Sequence, residues 1–198
     1  MAGNFNLEGK NGEIGLKMLE DISIILNKHN IEFWLESGTL LGIVREGRLL
    51  PWDNDIDIAI SEHSIEALLK VLPQISNAGY RVRVRRFKQD SEPFKKGVAR
   101  TIKIRNKKLF FFKGEVSFDI YVKFKKDKKY FYQCGTKKKS TDAKFFENLE
   151  EIEFNKIKYK VPNNYKAYLT NKYGNWEIVD KNWCPFKNDH TIIGNVIR

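Results

Sequence analysis

The segment Asp53-Asn54-Asp55-Ile56-Asp57-Ile58-Ala59-Ile60 constrains the fold more than any other stretch of the chain. It alternates acid or Asn with Ile, and this period of two is the signature of a strand with one polar and one apolar face. Side chains two apart on a strand share a face at a spacing of about 7 Å. Asp53, Asp55 and Asp57 are therefore expected to project together, with Ile56, Ile58 and Ile60 packed behind them. Such a row of carboxylates repels itself and becomes economical when a cation sits among them. Hard oxygen donors with no His or Cys beside them favour Mg²⁺ or Mn²⁺ over zinc. Solvated turn or edge acids carry the same letters, so the row alone does not make a metal site.

The flanking elements narrow the choice. Residues 13–29 place Met18, Ile22, Ile25 and Leu26 at helical spacing, and Ile31 to Glu36 alternates like a half-buried strand. Ser37-Gly38 breaks that strand before a short apolar helix from Thr39 to about Arg45. A glycine that follows a strand and opens a helix turns free N–H groups and a positive dipole end toward an anion, so a phosphate suits this place. A second helix is expected over His63–Asn77, shortened by Pro73. Strands are expected at Tyr80–Arg86, Val98–Ile104, Leu109–Phe112, Glu115–Phe124, Tyr130–Cys134, Ile152–Phe154 and Ile157–Val161. A helix from Asn164 to Tyr173, stopped by Gly174, precedes an irregular tail. Asp119 sits mid-strand in the apolar EVSFDIYVKF, where an unpaired charge is expensive. If its strand lies beside the Asp55–Asp57 strand, the acids form the kind of carboxylate cluster used in two-metal phosphoryl transfer.

At 198 residues the chain suits one domain, expected over 12–198 behind a flexible arm at 1–11. The fold class is α/β, a mixed β-sheet flanked by helices. Lys plus Arg exceeds Asp plus Glu by 36 − 25 = 11, unevenly placed. Residues 1–60 hold five basic and ten acidic side chains, whereas residues 103–139 hold thirteen basic and three acidic. An acidic third beside a basic middle suits a cation site next to an anion site, or a solvated lysine face such as Lys137–Lys139. The strand Arg81, Arg83, Arg85 presents one cationic face that either binds an anionic acceptor or blunts an edge. Cys134 and Cys184 lack zinc-ligand spacing and read as idle thiols. No apolar run approaches the roughly 18 residues of a membrane span and the N-terminus lacks signal-peptide layout, so the expected location is cytoplasmic, extending to a peripheral position at the inner face of the membrane.

Gly38-Thr39, followed by Asp55-Ile56-Asp57 and a later strand acid, resembles the DNA polymerase beta-type nucleotidyltransferase pattern, with Thr where Ser is usual. More narrowly, WLESGTLLGIVREGRLLPWDNDIDIAI and VPNNYKAYLTNKYGNW are similar to the two signature blocks of the LicD family. The resemblance implies a nucleotidyltransferase-type fold and a Mg²⁺- or Mn²⁺-dependent transfer of a phospho-alcohol, such as phosphocholine or a polyol phosphate. The donor would be CDP-activated, the acceptor a hydroxyl of a cell-surface glycan such as capsule, lipopolysaccharide or teichoic acid, and the leaving group CMP. Carried over by position, Ser37, Gly38 and Thr39 would cradle phosphate, and Asp55, Asp57 and Asp119 would be catalytic metal ligands, with Asp119 alternatively taking a proton. Asp53 matches the pattern as an auxiliary metal contact. Arg45 would reach a diphosphate or pair with Glu36 or Asp53, and Trp52 would stack on cytosine or pack beneath the loop. Partners on this reading are the CDP donor, a glycan acceptor and glycosyltransferases or the membrane surface. A nucleic-acid partner is disfavoured because the acid row repels phosphate without a metal. The enzymatic rival is nucleoside monophosphate transfer with pyrophosphate release.

Overall fold

The computed structural model, which describes residues 6–108 and 112–196, has a sheet with two chemically opposite faces. The chain runs α1 (Lys10–Lys28), β1 (Trp34–Leu35), α2 (Ser37–Glu46), β2 (Asp55–Ser61), α3 (Ile65–Asn77), β3 (Arg81–Arg86), β4 (Ala99–Lys108), β5 (Phe112–Lys126), β6 (Lys129–Cys134), β7 (Lys137–Asp142), β8 (Glu150–Phe154), β9 (Ile157–Val161), α4 (Tyr165–Tyr173) and β10 (Ile192–Asn195). β2 and β5 are parallel neighbours, β4 pairs antiparallel with β5, and β3 with β4. One part of the sheet thus reads β3-β4-β5-β2-β1, and beyond Lys123 β5 pairs with β6, which leads on to β7 and β10. β8 and β9 form a separate hairpin.

Residues opposite each other in neighbouring strands share a face. Ile56, Ile58 and Ile60 of β2, Ile102 and Ile104 of β4, and Phe118, Ile120 and Val122 of β5 are all buried. α1 lies across this apolar face so closely that a side chain at Gly15 would meet Ile56 Cδ1 at 2.9 Å. Burial of each Ile stabilises the fold by about 1.5–3 kcal/mol, and a one-residue slip would move the whole set to the wrong side. Register is fixed by this cost, and with it the opposite face, where Asp55, Asp57, Asp119, Lys103 and Arg105 look into a cleft.

Several sequence expectations are corrected. The arm expected over 1–11 does not reach that far: α1 starts at Lys10, Leu7 is buried in the core and its N–H donates to Asp53 O at 2.8 Å. Residues 1–5 lie outside the described residues, as do 109–111 of the strand expected at Leu109–Phe112. The strand expected over Ile31–Glu36 shrinks to Trp34–Leu35. Pro73 does not end α3, because the buried stripe Leu68, Val71 and Ile75 carries the helix past it. The tail contains β10, which pairs with β7, and the Lys137–Lys139 run is part of β7, with Lys139 buried. No helix among the described residues is long and apolar enough to cross a membrane.

Candidate active site

Parallel pairing of β2 with β5 sets Asp57 beside Asp119 and Asp55 beside Ser117. One carboxylate oxygen from each of Asp55, Asp57 and Asp119 lies within 4.8 Å of the other two. Asp57 and Asp119 are buried, and Asp55 is half-buried at the strand's first position. Burial, followed by the charges of Asp53 and Asp119, pushes the Asp55 carboxyl well above the usual carboxylate range. Burial, followed by Asp55 and Asp119, does the same to Asp57. Asp57 Oδ1 is buried without a hydrogen-bond partner. Asp119 is held by Lys103 Nζ, 2.7 Å from Oδ1, and by Ser117 Oγ at 3.3 Å.

This donor set fits a hard divalent cation. Three carboxylates less the Lys103 ammonium leave two negative charges, one Asp57 oxygen is buried without a hydrogen-bond partner, and among the described residues the candidate ligand group is made of carboxylates alone. Lys103, which the sequence reading did not assign, is the cation that partly answers the trio here. Its signal lay in the alternation of β4, where Thr101, Lys103 and Arg105 oppose the Ile102 and Ile104 side.

The other sequence-derived residues divide. Asp53 lies just before β2, which begins at Asp55, but it lines the same cleft and its charge acts on Asp55 and Asp57. It lies outside the metal-ligand trio, and its carboxylate packs against the start of α2, where a Cβ at Gly38 would meet Asp53 Oδ2 at 1.8 Å. Any larger residue there would have to displace the Asp53 carboxylate, and burial pushes that carboxyl up to about 6. Ser37 and Gly38 line the cleft, and no side chain caps the first amides of α2. Ser37 holds φ 49, a left-handed conformation that a non-glycine residue adopts at a cost of about 1–3 kcal/mol.

Thr39 is not among the cleft-lining residues: its buried hydroxyl accepts the Asp57 N–H at 2.8 Å, locking α2 to the acid strand. Arg45 lines the cleft, but its guanidinium is bound to Glu46 at 2.9 Å and donates to the Trp176 carbonyl at 3.1 Å. Neither Glu36 nor Asp53 is its partner, and it joins α2 to the segment after α4. Trp52 lines the cleft half-buried, with Lys181 Nζ 5.1 Å from its ring centroid. Tyr173 and Trp176 also line the cleft. His190 packs against Gly174 outside it. The whole cleft encloses about 1010 Å³.

A buried ionic network beside the cleft was invisible in the sequence. Lys123 Nζ lies 2.6 Å from Glu36, Lys172 3.0 Å and Lys139 2.7 Å from Asp189, and Tyr168 donates to Glu36. Burial alone would raise Glu36, but Lys123 and Lys172 hold it down to about 2. Burial pushes Lys123 down to about 8 despite Glu36. Burial would also depress Lys172, yet Tyr132 and Asp189 keep it well above its ordinary value. Because the Glu36 N–H also donates to Asp57 O at 3.1 Å, the network fixes the turn leading into Ser37-Gly38.

A carboxylate trio on adjacent parallel strands, beside an uncapped helix start led by Gly38, defines the nucleotidyltransferase class of site. Residues 30–164 match the protein-family model described as LicD/FKTN/FKRP, nucleotidyltransferase domain, and the chain belongs to that family. It is 29% identical over 165 residues to the uncharacterized protein RT0683 of Rickettsia typhi, covering 81% of this chain and 46% of that one. It is 38% identical over 78 residues to the uncharacterized protein RP689 of Rickettsia prowazekii, covering 39% and 29%. A stretch of 36 residues is 44% identical to ribitol 5-phosphate transferase FKRP of Homo sapiens, covering 18% of this chain and 7% of that protein. The chain thus spans less than half the length of these curated relatives. Among solved structures, it resembles lincosamide antibiotic adenylyltransferase LnuA with lincomycin bound at 15% identity and TM-score 0.48, covering 77% of this chain and 83% of that one.

Proposed function

We propose that the chain is a Mg²⁺- or Mn²⁺-dependent phosphotransferase that moves a phospho-alcohol from a CDP-activated donor to a glycan hydroxyl. The observation that carries this reading is the trio Asp55, Asp57 and Asp119, within 4.8 Å of one another in a cleft that also holds the start of α2. Membership of the LicD family supports the transferase chemistry. A divalent cation bound by the trio would neutralise the donor diphosphate and the departing CMP. The acceptor oxygen forms a bond to the phosphorus bearing the alcohol, the phosphorus–oxygen bond to CMP breaks, CMP keeps that electron pair, and the hydroxyl proton passes to water.

The chain's own part is positioning and electrostatics, as expected for phosphoryl transfer. The uncapped start of α2 at Ser37 and Gly38 would meet the donor phosphates, and Trp52, Tyr173 and Trp176 line the same cleft, where the cytosine or sugar would lie. Lys103 donates to Asp119 and steadies its carboxylate. The test is a panel of CDP-alcohols, choline, ethanolamine, glycerol and ribitol, with and without Mg²⁺ and glycan. CMP release that requires the metal supports the proposal. Pyrophosphate release from a nucleoside triphosphate, with no CMP from any CDP-alcohol, would replace it with nucleotidyl transfer.

A further inference from the structure

The cleft's two flanks are chemically different. Strand order and register run from the start of α2 past Asp55 and Asp57 on β2, Asp119 on β5 and Lys103 and Arg105 on β4 to Arg81, Arg83 and Arg85 on β3. Arg83 pairs with Lys103, which pairs with Asp119, so one row across the sheet passes from free cation to paired cation to carboxylate. At a strand spacing of about 4.8 Å, the β3 backbone stands about 10 Å from the strand of Asp119 and about 14 Å from the strand of Asp55 and Asp57. Lys103 is committed to Asp119, and Arg105 donates to the Glu115 carbonyl at 2.9 Å. Arg81, Arg83 and Arg85, in contrast, make no ion pair or hydrogen bond among the described residues, and Arg85 Nε is buried with no acceptor.

We infer that the β3 arginines form an anion subsite for the acceptor, which therefore carries a phosphate or carboxylate of its own about one sugar or polyol unit from the hydroxyl that reacts. This rests on the proposed phosphotransfer. An in-line displacement puts the nucleophile and the leaving group on opposite sides of phosphorus. With the donor diphosphate between the trio and the α2 amides, the nucleophile comes from the β4–β3 side, over the arginines. The donor does not need them: its roughly two negative charges are already met by a divalent cation and the helix start. A fork of N–H donors suits an oxyanion, and spacing of about 7 Å along the strand suits a chain bearing repeated charges.

The experiment compares wild-type chain with Arg81→Gln/Arg83→Gln/Arg85→Gln by calorimetric titration at low and high salt. The probes are a glycerol phosphate oligomer, a galacturonic acid oligomer, a neutral maltooligosaccharide, and CDP with Mg²⁺. Thermal melting first establishes that the variant, altered only at exposed or half-buried positions, is folded. The expected result is that one or both anionic oligomers bind wild type in a salt-sensitive way and lose roughly ten- to hundredfold in the variant, while Mg²⁺–CDP affinity changes by less than about twofold. Preference between the two oligomers assigns phosphate or carboxylate. Absence of anionic oligomer binding in wild type, equal binding in the variant, or an equal loss of Mg²⁺–CDP binding would overturn the subsite. Failure of Mg²⁺–CDP to bind wild type at all would instead count against the proposed function.

Discussion

Asp57→Asn should make the metal-free protein more stable while removing its response to Mg²⁺. The Asp57 carboxylate sits within 4.8 Å of both Asp55 and Asp119. At an effective dielectric near 20, two unit charges at that separation repel by about 3.5 kcal/mol. Raised carboxyls relieve part of this by taking up protons, and Lys103 offsets part of the Asp119 charge, so the gain on neutralising Asp57 is about 1–3 kcal/mol. For a chain of this size about 1 kcal/mol moves the melting point by roughly 2–4 °C, giving a rise of about 2–12 °C in EDTA. The assay is thermal melting at pH 7.5 in EDTA and again in millimolar Mg²⁺, wild type against variant. Wild type should gain stability with Mg²⁺ by mass action, and Asp57→Asn should gain little. A variant less stable than wild type in EDTA, or one that keeps the full Mg²⁺ shift, would refute the view that these carboxylates are held against one another for a cation.

Three further outcomes follow from the same geometry. With Asp53 raised to about 6 and Asp55 and Asp57 also raised, the folded chain holds protons that the unfolded chain has already shed; metal-free stability should therefore fall as pH rises from about 4 through 6, by about 3 kcal/mol at most for Asp53, and Mg²⁺ should flatten the slope measured by urea unfolding. Gly38→Ala should cost on the order of 100-fold in turnover with little change in melting point, because its Cβ displaces the Asp53 carboxylate and the start of α2; near-normal turnover would contradict the packing described. Glu36→Gln should destabilise by about 3–5 kcal/mol, since Lys123, Lys139 and Lys172 would then share only Asp189, and Lys123→Met in the same chain should restore part of it; a loss under about 1 kcal/mol would mean that the network is slack.

The acid strand was legible because alternation is a local property: β2 shows it over Asp55–Ser61, and Asp119 stood out as a charge in an apolar strand. The parity that Asp53 shares with Asp55 did not reveal that β2 starts only at Asp55 and that the Asp53 carboxylate packs against Gly38. Thr39, placed at the phosphate by resemblance, has its hydroxyl taken up by the Asp57 N–H, a contact that no local pattern in the sequence reveals. What could not be read was pairing between distant segments. Lysines 123, 139 and 172 look solvated in a Lys-rich sequence, yet each is buried beside Glu36 or Asp189. The β3 arginines acquire meaning only from the register that aligns them with Lys103 and Asp119.

Asp55, Asp57 and Asp119 together should hold a divalent cation. The most direct measurement is an anomalous difference map from crystals grown with Mn²⁺ and CDP. A peak should lie between the three carboxylates, about 2.1 Å from ligating oxygens, with the CDP diphosphate beside it near Ser37 and Gly38. CDP bound in the cleft with no Mn²⁺ peak at the trio, and Asp119 still paired only with Lys103, would contradict it.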